Sequence, residues 1–160
     1  MVHISKAYLR EDRSLLHFRR TLYQGGSKML IFESEYLDLS IDANVPCLEW
    51  IGKKFIPSKE FRASEEKSLQ AYLQYKNTYP NMQWFVDARN IGPISPEDTQ
   101  WVIDKILPEF AAAGLNKEAF VVPKSAIGKM TVKNYASDAG RIIEINVFES
   151  VEAAKKWLQE

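Results

Sequence analysis

The sequence holds one cysteine, Cys47, and two histidines, His3 and His17, in 160 residues. A lone thiol excludes an intrachain disulfide and any zinc site built on clustered cysteines. Because both imidazoles fall within the first 17 residues, the remainder has none for a Ser-His-Asp triad, a Cys-His pair or a His-ligated metal. That weighs against the common hydrolases while leaving carboxylate or lysine chemistry open. No catalytic residue, metal site or cofactor is expected. Net charge is also absent: 21 basic and 21 acidic side chains cancel, so no global field recruits nucleic acid or an anionic membrane. The chain has no apolar run of about 18 residues to span a bilayer and no signal-peptide core at its N-terminus. A reducing cytoplasm is the expected compartment. Cys47, beside Pro46 and with no activating partner nearby in the sequence, is expected as a small buried hydrophobe.

What is present is the composition of an ordinary globular domain, 46% hydrophobic and 26% charged. Its length suits one domain with one core. The zero net charge hides an asymmetry, since residues 1–28 carry six Lys/Arg against Glu11 and Asp12, a net of +4. Leu9, Leu15, Leu16, Phe18 and Leu22 allow a short basic amphipathic helix there, the membrane-surface or nucleic-acid reading. A simpler reading concerns translation. "QGGSKM" can be encoded by a stretch that contains a ribosome-binding sequence at the proper distance before Met29. Residues 1–28 are therefore expected to be a leader upstream of the natural start, with the domain at 29–160.

From Met29 onward the hydrophobic periods are regular. "LIFESEYLDLSID" and "CLEWIGKKF" are β-rich segments separated by the turn-forming "DANVP", and they predict an opening antiparallel pair. Ser58 is placed to cap a helix whose apolar face is read as Phe61, Leu69, Tyr72, Leu73 and Tyr79, with Pro80 and Asn81 as its stop. "QWFVDA" reads as a buried strand. The next helix starts with Ser95 as N-cap, Pro96 at N1 and Asp98 at N3, a capping-box variant with Asp in place of Glu; Gly114 ends it, and Pro108 should bend it. "EAFVVP" is a strand and "KSAIGKMTVKNYASDAG" a helix weakened by Gly128; "RIIEINVF" is a strand, and Ser150 caps a terminal helix. The order ββαβαβαβα implies an α/β fold, a mostly parallel sheet with an antiparallel opening pair and helices covering it.

Few segments suggest chemistry. "VVPKSAIGKM" follows a strand like a phosphate loop, but Pro123 and Met130 stand where the pattern needs glycine and Ser/Thr. Lys124, Lys129 and Lys133 remain as an anion patch or as solvated surface lysines. Asp87 and Arg89 end the strand "WFVDARN", where ligands of open α/β sheets collect. They either bind a polar ligand or tie down the turn. The tryptophans and tyrosines make no stacking array for single-stranded nucleic acid.

The order of elements, with "WFVDARNIGPISPEDTQWV" after the first long helix and "KEAFVVPKSAIGKM" after the second, resembles the SpoIIAA-like branch of the STAS superfamily over about residues 30–159. The resemblance implies a kinship of fold with anti-sigma-factor antagonists, with cytoplasmic domains of anion transporters and, more remotely, with CRAL-TRIO lipid-transfer domains. In the antagonists, a serine at the helix start after this strand is phosphorylated. Aligned through Asp87, that position falls on Pro96, beside Glu97 and Asp98, so the switch chemistry is missing and Ser95 is better read as the cap.

The resulting expectation is a non-enzymatic cytoplasmic STAS-like domain that binds a protein partner or small ligand in a regulatory role. Its surface would be the turn from Arg89 to Asp98 with the adjacent helix, bringing in Asp87, Ser95, Glu97 and Trp101. The alternative is a carrier of an apolar or lipid-like molecule, in a cavity lined by Trp84, Trp101, Ile106 and Phe110. An enzyme using Asp87, Arg89 or a lysine is a third reading.

Overall fold

A computed structural model describes residues 26–123 and 125–160. The readings placed on residues 1–25, with His3 and His17, and on Lys124 lie outside the described residues. Six strands form one mixed sheet in sequential order. β1 (Lys28–Glu33), β2 (Leu37–Asp42) and β3 (Cys47–Gly52) are antiparallel neighbours. β4 (Gln83–Asp87), β5 (Lys117–Val121) and β6 (Glu144–Phe148) extend the sheet in parallel from β3.

The expected opening pair is therefore a three-stranded meander, and the order is βββαβαβαβα. "LIFESEYLDLSID" is two strands because Ser34 breaks it: its Oγ accepts the N–H groups of Tyr36 and Leu37 at 3.1 and 3.2 Å. A side-chain acceptor that gathers two successive backbone donors closes a turn inside a run whose composition reads as continuous strand. β1 begins at Lys28, one residue before the expected boundary, and Lys28 Nζ lies 3.1 Å from Glu49 Oε1.

α1 (Ser58–Tyr75) packs on the sheet face that carries Leu39, Trp50 and Trp84. Its N-cap is Pro57 rather than Ser58, whose hydroxyl instead donates to Asp98 Oδ1 at 2.8 Å. The helix ends at Tyr75, before Tyr79 and Pro80, and Leu73 is exposed. The buried stripe is Phe61, Ser64, Glu65, Ser68, Ala71 and Tyr72. Two of its polar members are satisfied locally: Ser64 Oγ donates to the Phe61 carbonyl at 2.7 Å and Ser68 Oγ to the Ser64 carbonyl at 2.8 Å. A hydroxyl bonded back to its own helix enters an apolar stripe at little cost.

α2 (Pro96–Trp101) runs through a π-helical turn (Val102–Ile106) into α3 (Leu107–Ala112). Pro108 follows the wide turn, in which the Leu107 N–H reaches back to the Val102 carbonyl. The π turn widens the backbone just where the proline ring would crowd the preceding carbonyls, so the expected bend is absorbed as a local change of helix type. Ile106, Leu107 and Phe110 are buried, and Phe110 stacks on Trp84 with ring centroids 4.3 Å apart.

α4 (Ala126–Ala139) is capped by Ser125, which accepts the Gly128 N–H at 3.0 Å. Gly128 weakens the helix but has a steric reason to be there, since a Cβ would lie 2.6 Å from Pro123 Cβ. α5 (Val151–Leu158), capped by Ser150, covers the opposite face of the sheet. Cys47, Phe85, Ala119, Val121, Ala154 and Leu158 form that second core. Cys47 is fully buried there, and burial raises its thiol pKa, which makes it inert at neutral pH. Among the described residues no helix is long and apolar enough to cross a membrane.

Candidate functional site

Strand alternation builds the floor of a pocket. Trp50 of β3, Trp84 and Val86 of β4, and Glu118 and Phe120 of β5 share one face of the sheet. Phe61 and Glu65 come down from α1, Val102 from the π turn, and Thr131, Val132 and Tyr135 from α4. The loop after β4 closes one side with Ile91 and Ile94. Gly52 permits this close approach, because a Cβ there would collide with the Ile91 side chain. The pocket is partly open to the surface and offers about 70 Å³, and its walls are mostly apolar.

Two carboxyl groups stand in this apolar space. Glu118 is 1% exposed and its Oε2 accepts the Tyr135 hydroxyl at 2.8 Å. Burial pushes the Glu118 pKa up to about 8, with the Tyr135 bond acting in the opposite direction. Glu65 is 5% exposed and has no hydrogen-bond partner among the described residues. Burial and then the nearby Glu118 charge raise its pKa well above the usual carboxylate range. A carboxylate without a cation is poorly solvated in such a wall, so burial shifts both groups toward the protonated form, which Glu118 favours at neutral pH. Tyr135 is raised as well, first by burial and then by Glu118. The Trp84 Nε1–H, in the same wall, has no acceptor among the described residues, whereas Trp50 Nε1 donates to Ser64 Oγ at 3.0 Å.

The residues singled out from the sequence lie elsewhere, in two separate ion pairs. At the end of β4, Asp87 accepts the Arg89 backbone N–H at 3.1 Å and both arms of its guanidinium, Nε at 2.9 Å and Nη2 at 2.7 Å. At the start of α2, Ser95 Oγ accepts the Asp98 N–H at 3.1 Å. The Asp98 carboxylate does not complete a reciprocal capping box. It reaches α1, accepting from Arg62 Nε at 2.7 Å and from the Ser58 hydroxyl. Burial acts to raise the Asp98 pKa, but the bonds from Arg62, Ser58 and Ser95 and the Arg62 charge hold it below the usual value. Arg62 also lies over the Trp101 ring, 5.0 Å from its centroid. Glu97 is exposed on α2, and Lys129 and Lys133 are exposed on α4.

Of the cavity residues expected from the sequence, Trp84 lines the pocket, while Trp101, Ile106 and Phe110 do not. Ile106 and Phe110 are packed into the core behind it. Glu65, Glu118 and Tyr135 were legible only as acids and a phenol falling on apolar stripes: Phe61, Glu65, Ser68 and Tyr72 follow helical spacing, and Glu118 alternates with Phe120. A second hollow, of about 410 Å³, lies at the other end of the parallel strands, lined by groups such as Pro46, Asn81, Gln83 and Glu160. It is larger but polar, and Gln83 Oε1 is already taken by the N–H groups of Asn116 and Lys117. Among the described residues, no group of three or more His, Cys, Asp and Glu side chains is arranged to hold a metal ion. No protein-family model, curated protein or solved structure matches the chain, so the site rests on its own geometry.

Proposed function

We propose that the chain is a STAS-like, non-catalytic binding domain of the cytoplasm whose pocket between sheet and helices takes a small, largely apolar ligand. The observation that carries this reading is the pocket itself, an apolar space whose wall holds the buried Glu65 carboxyl and the Trp84 Nε1–H, neither with a hydrogen-bond partner among the described residues. Concave apolar sites with a few convergent polar groups are the usual form of small-molecule sites. Among the described residues the wall has no Ser, Cys, Lys or His, and its hydroxyls are those of Thr99, Thr131 and Tyr135, none paired with an imidazole or amine base, which favours binding over turnover. The turn from Arg89 to Asp98 supports a partner surface less well. Its Asp87, Arg89 and Asp98 charges are consumed within the fold, leaving Glu97 as its exposed charge.

Native mass spectrometry of the full chain purified from its source cells tests the reading. A small-molecule adduct is expected, released on denaturation and missing from Thr131→Phe, which fills the pocket from its half-buried edge. A stoichiometric protein partner retained equally by Thr131→Phe, with no small adduct on either form, would favour the regulatory reading instead.

A further inference from the structure

We propose that this pocket, taken as the ligand site argued above, selects a compact organic ammonium ion and holds its positive charge between Glu65, Glu118 and the surrounding aromatic rings. The sign of the wall is the first argument. Its titratable groups are Glu65 from α1, Glu118 from β5 and Tyr135 from α4, while β3, β4, the π turn and the loop after β4 add none. No Lys, Arg or His among the described residues lines it. An anionic ligand would bring a third acidic group into a space with no counter-charge. A neutral apolar ligand would fill the volume and leave Glu65 as unpartnered as before. An ammonium ion supplies N–H donors or a positive methylated head to the Glu65 carboxyl, which has no hydrogen-bond partner among the described residues.

The second argument is the ring content. Trp50, Phe61, Trp84, Phe120 and Tyr135 all line the pocket. Aromatic faces attract alkylated ammonium ions through the ring quadrupole, most strongly where water is excluded. Size sets the third constraint. A cavity of about 70 Å³ is roughly half the 150 Å³ of an engineered cavity that accepts benzene, so the head inside the pocket has only a few heavy atoms.

Proton balance follows from the same groups. A protonated carboxyl in the free pocket gives its proton to the buffer as the ammonium ion enters, leaving a carboxylate paired with the ligand. Affinity therefore rises with pH until the carboxyl is already ionised in the free protein, near pH 8 for Glu118.

A set of compounds that share one isopropyl group tests this on the full chain: isopropylamine as its ammonium ion, isopropanol and isobutyrate, titrated against the indole N–H resonances of the four tryptophans. Isopropylammonium should shift the Trp50 and Trp84 signals and leave Trp157 unmoved, with an affinity at least about tenfold above that of isopropanol. Isobutyrate should not bind. Glu65→Gln and Glu118→Gln, which keep side-chain shape, should each reduce the preference for the ammonium ion and flatten its rise between pH 6 and 8. Equal or tighter binding of isopropanol, or an ammonium affinity unchanged in both variants, overturns the ammonium assignment and leaves the ligand pocket standing. Should none of the three compounds move Trp50 or Trp84 at any pH, both this assignment and the ligand-pocket reading fall.

Discussion

The Tyr135 hydroxyl on α4 donates to Glu118 Oε2 on β5 across 2.8 Å, joining a helix to the sheet through a buried carboxyl. Removing the hydroxyl in Tyr135→Phe leaves that oxygen without its donor and should cost about 1 kcal/mol of stability. Since the bond lowers the Glu118 pKa, its loss should also move that pKa further up. Urea denaturation of the two forms, with a carboxyl-specific NMR titration, checks both parts.

Glu118 also makes stability depend on pH in the direction opposite to an ion-paired acid. Its folded pKa of about 8 lies above the ordinary 4.5, so between these values the folded state holds a proton that the unfolded state has released. Stability is therefore fully present below about pH 4.5 and is lost as pH rises toward 8. Glu118→Gln, neutral at every pH, should be more stable than the parent at pH 8 by on the order of a few kcal/mol. It should keep a residual slope, because Glu65 shifts in the same direction. Calorimetric melting from pH 5 to 8.5 reads this out, and parallel curves for parent and variant would refute the assignment.

Asp87 is an anchor for the turn after β4. Its carboxylate serves both the backbone and the side chain of Arg89, so Asp87→Ala should destabilise by about 1–3 kcal/mol. Asp87→Asn should lose less, because an amide oxygen can still accept the Arg89 N–H. Identical denaturation midpoints for the parent and Asp87→Ala would show that the pair is ornamental.

The alternation of strands and helices and the caps at Ser95 and Ser150 were legible because they depend on local spacing and local chemistry. The split of residues 30–42 into two strands was not, since Ser34, Glu35 and Tyr36 are individually compatible with a strand. It took the Ser34 oxygen meeting two backbone N–H groups to end it. The candidate site was hidden for a related reason. The expected apolar face of Phe61, Leu69, Tyr72, Leu73 and Tyr79 is right at Phe61 and Tyr72, but Leu73 faces solvent and the buried stripe also takes in Glu65 and Ser68. Pattern reading assigns acids to the surface, and only tertiary packing puts Glu65 opposite Glu118, about fifty residues later.

Asp98 joins the start of α2 to α1, and its loss should exceed that of the cap. Asp98→Ala removes the acceptor of Arg62 and Ser58 together and should cost about 2–3 kcal/mol, against about 1 kcal/mol for Ser95→Ala. With its folded pKa held below the ordinary 3.8, Asp98 contributes stability that is present above that value and lost as pH falls through the folded pKa. Asp98→Asn should accordingly show a shallower loss of stability below about pH 4. Chemical denaturation at pH 7 and pH 3 compares these variants, and a Ser95→Ala cost equal to or above that of Asp98→Ala would reverse the ranking.

Lys155 is the charge that docks α5 onto the sheet. Its ammonium contacts Asp42 Oδ2 at 2.8 Å and also Glu49, whose carboxylate accepts Ser40 Oγ at 2.8 Å and is 1% exposed. Burial acts to lower the Lys155 pKa, but hydrogen bonds to the two carboxylates override it and hold the ammonium charged. Lys155→Met keeps the length of the side chain and deletes the charge, leaving Asp42 and Glu49 with the half-exposed Lys28 as the nearby cation. A fully uncompensated buried charge costs about 3–5 kcal/mol, and with Lys28 still on Glu49 the loss should fall toward the lower end of that range. The companion variant separates charge from packing. Adding Glu49→Gln to Lys155→Met removes one of the stranded carboxylates while preserving an acceptor for Ser40, so the double variant should recover a substantial part of the loss. Equal stability of the single and double variants in urea would mean that α5 is held by Ala154 and Leu158 alone.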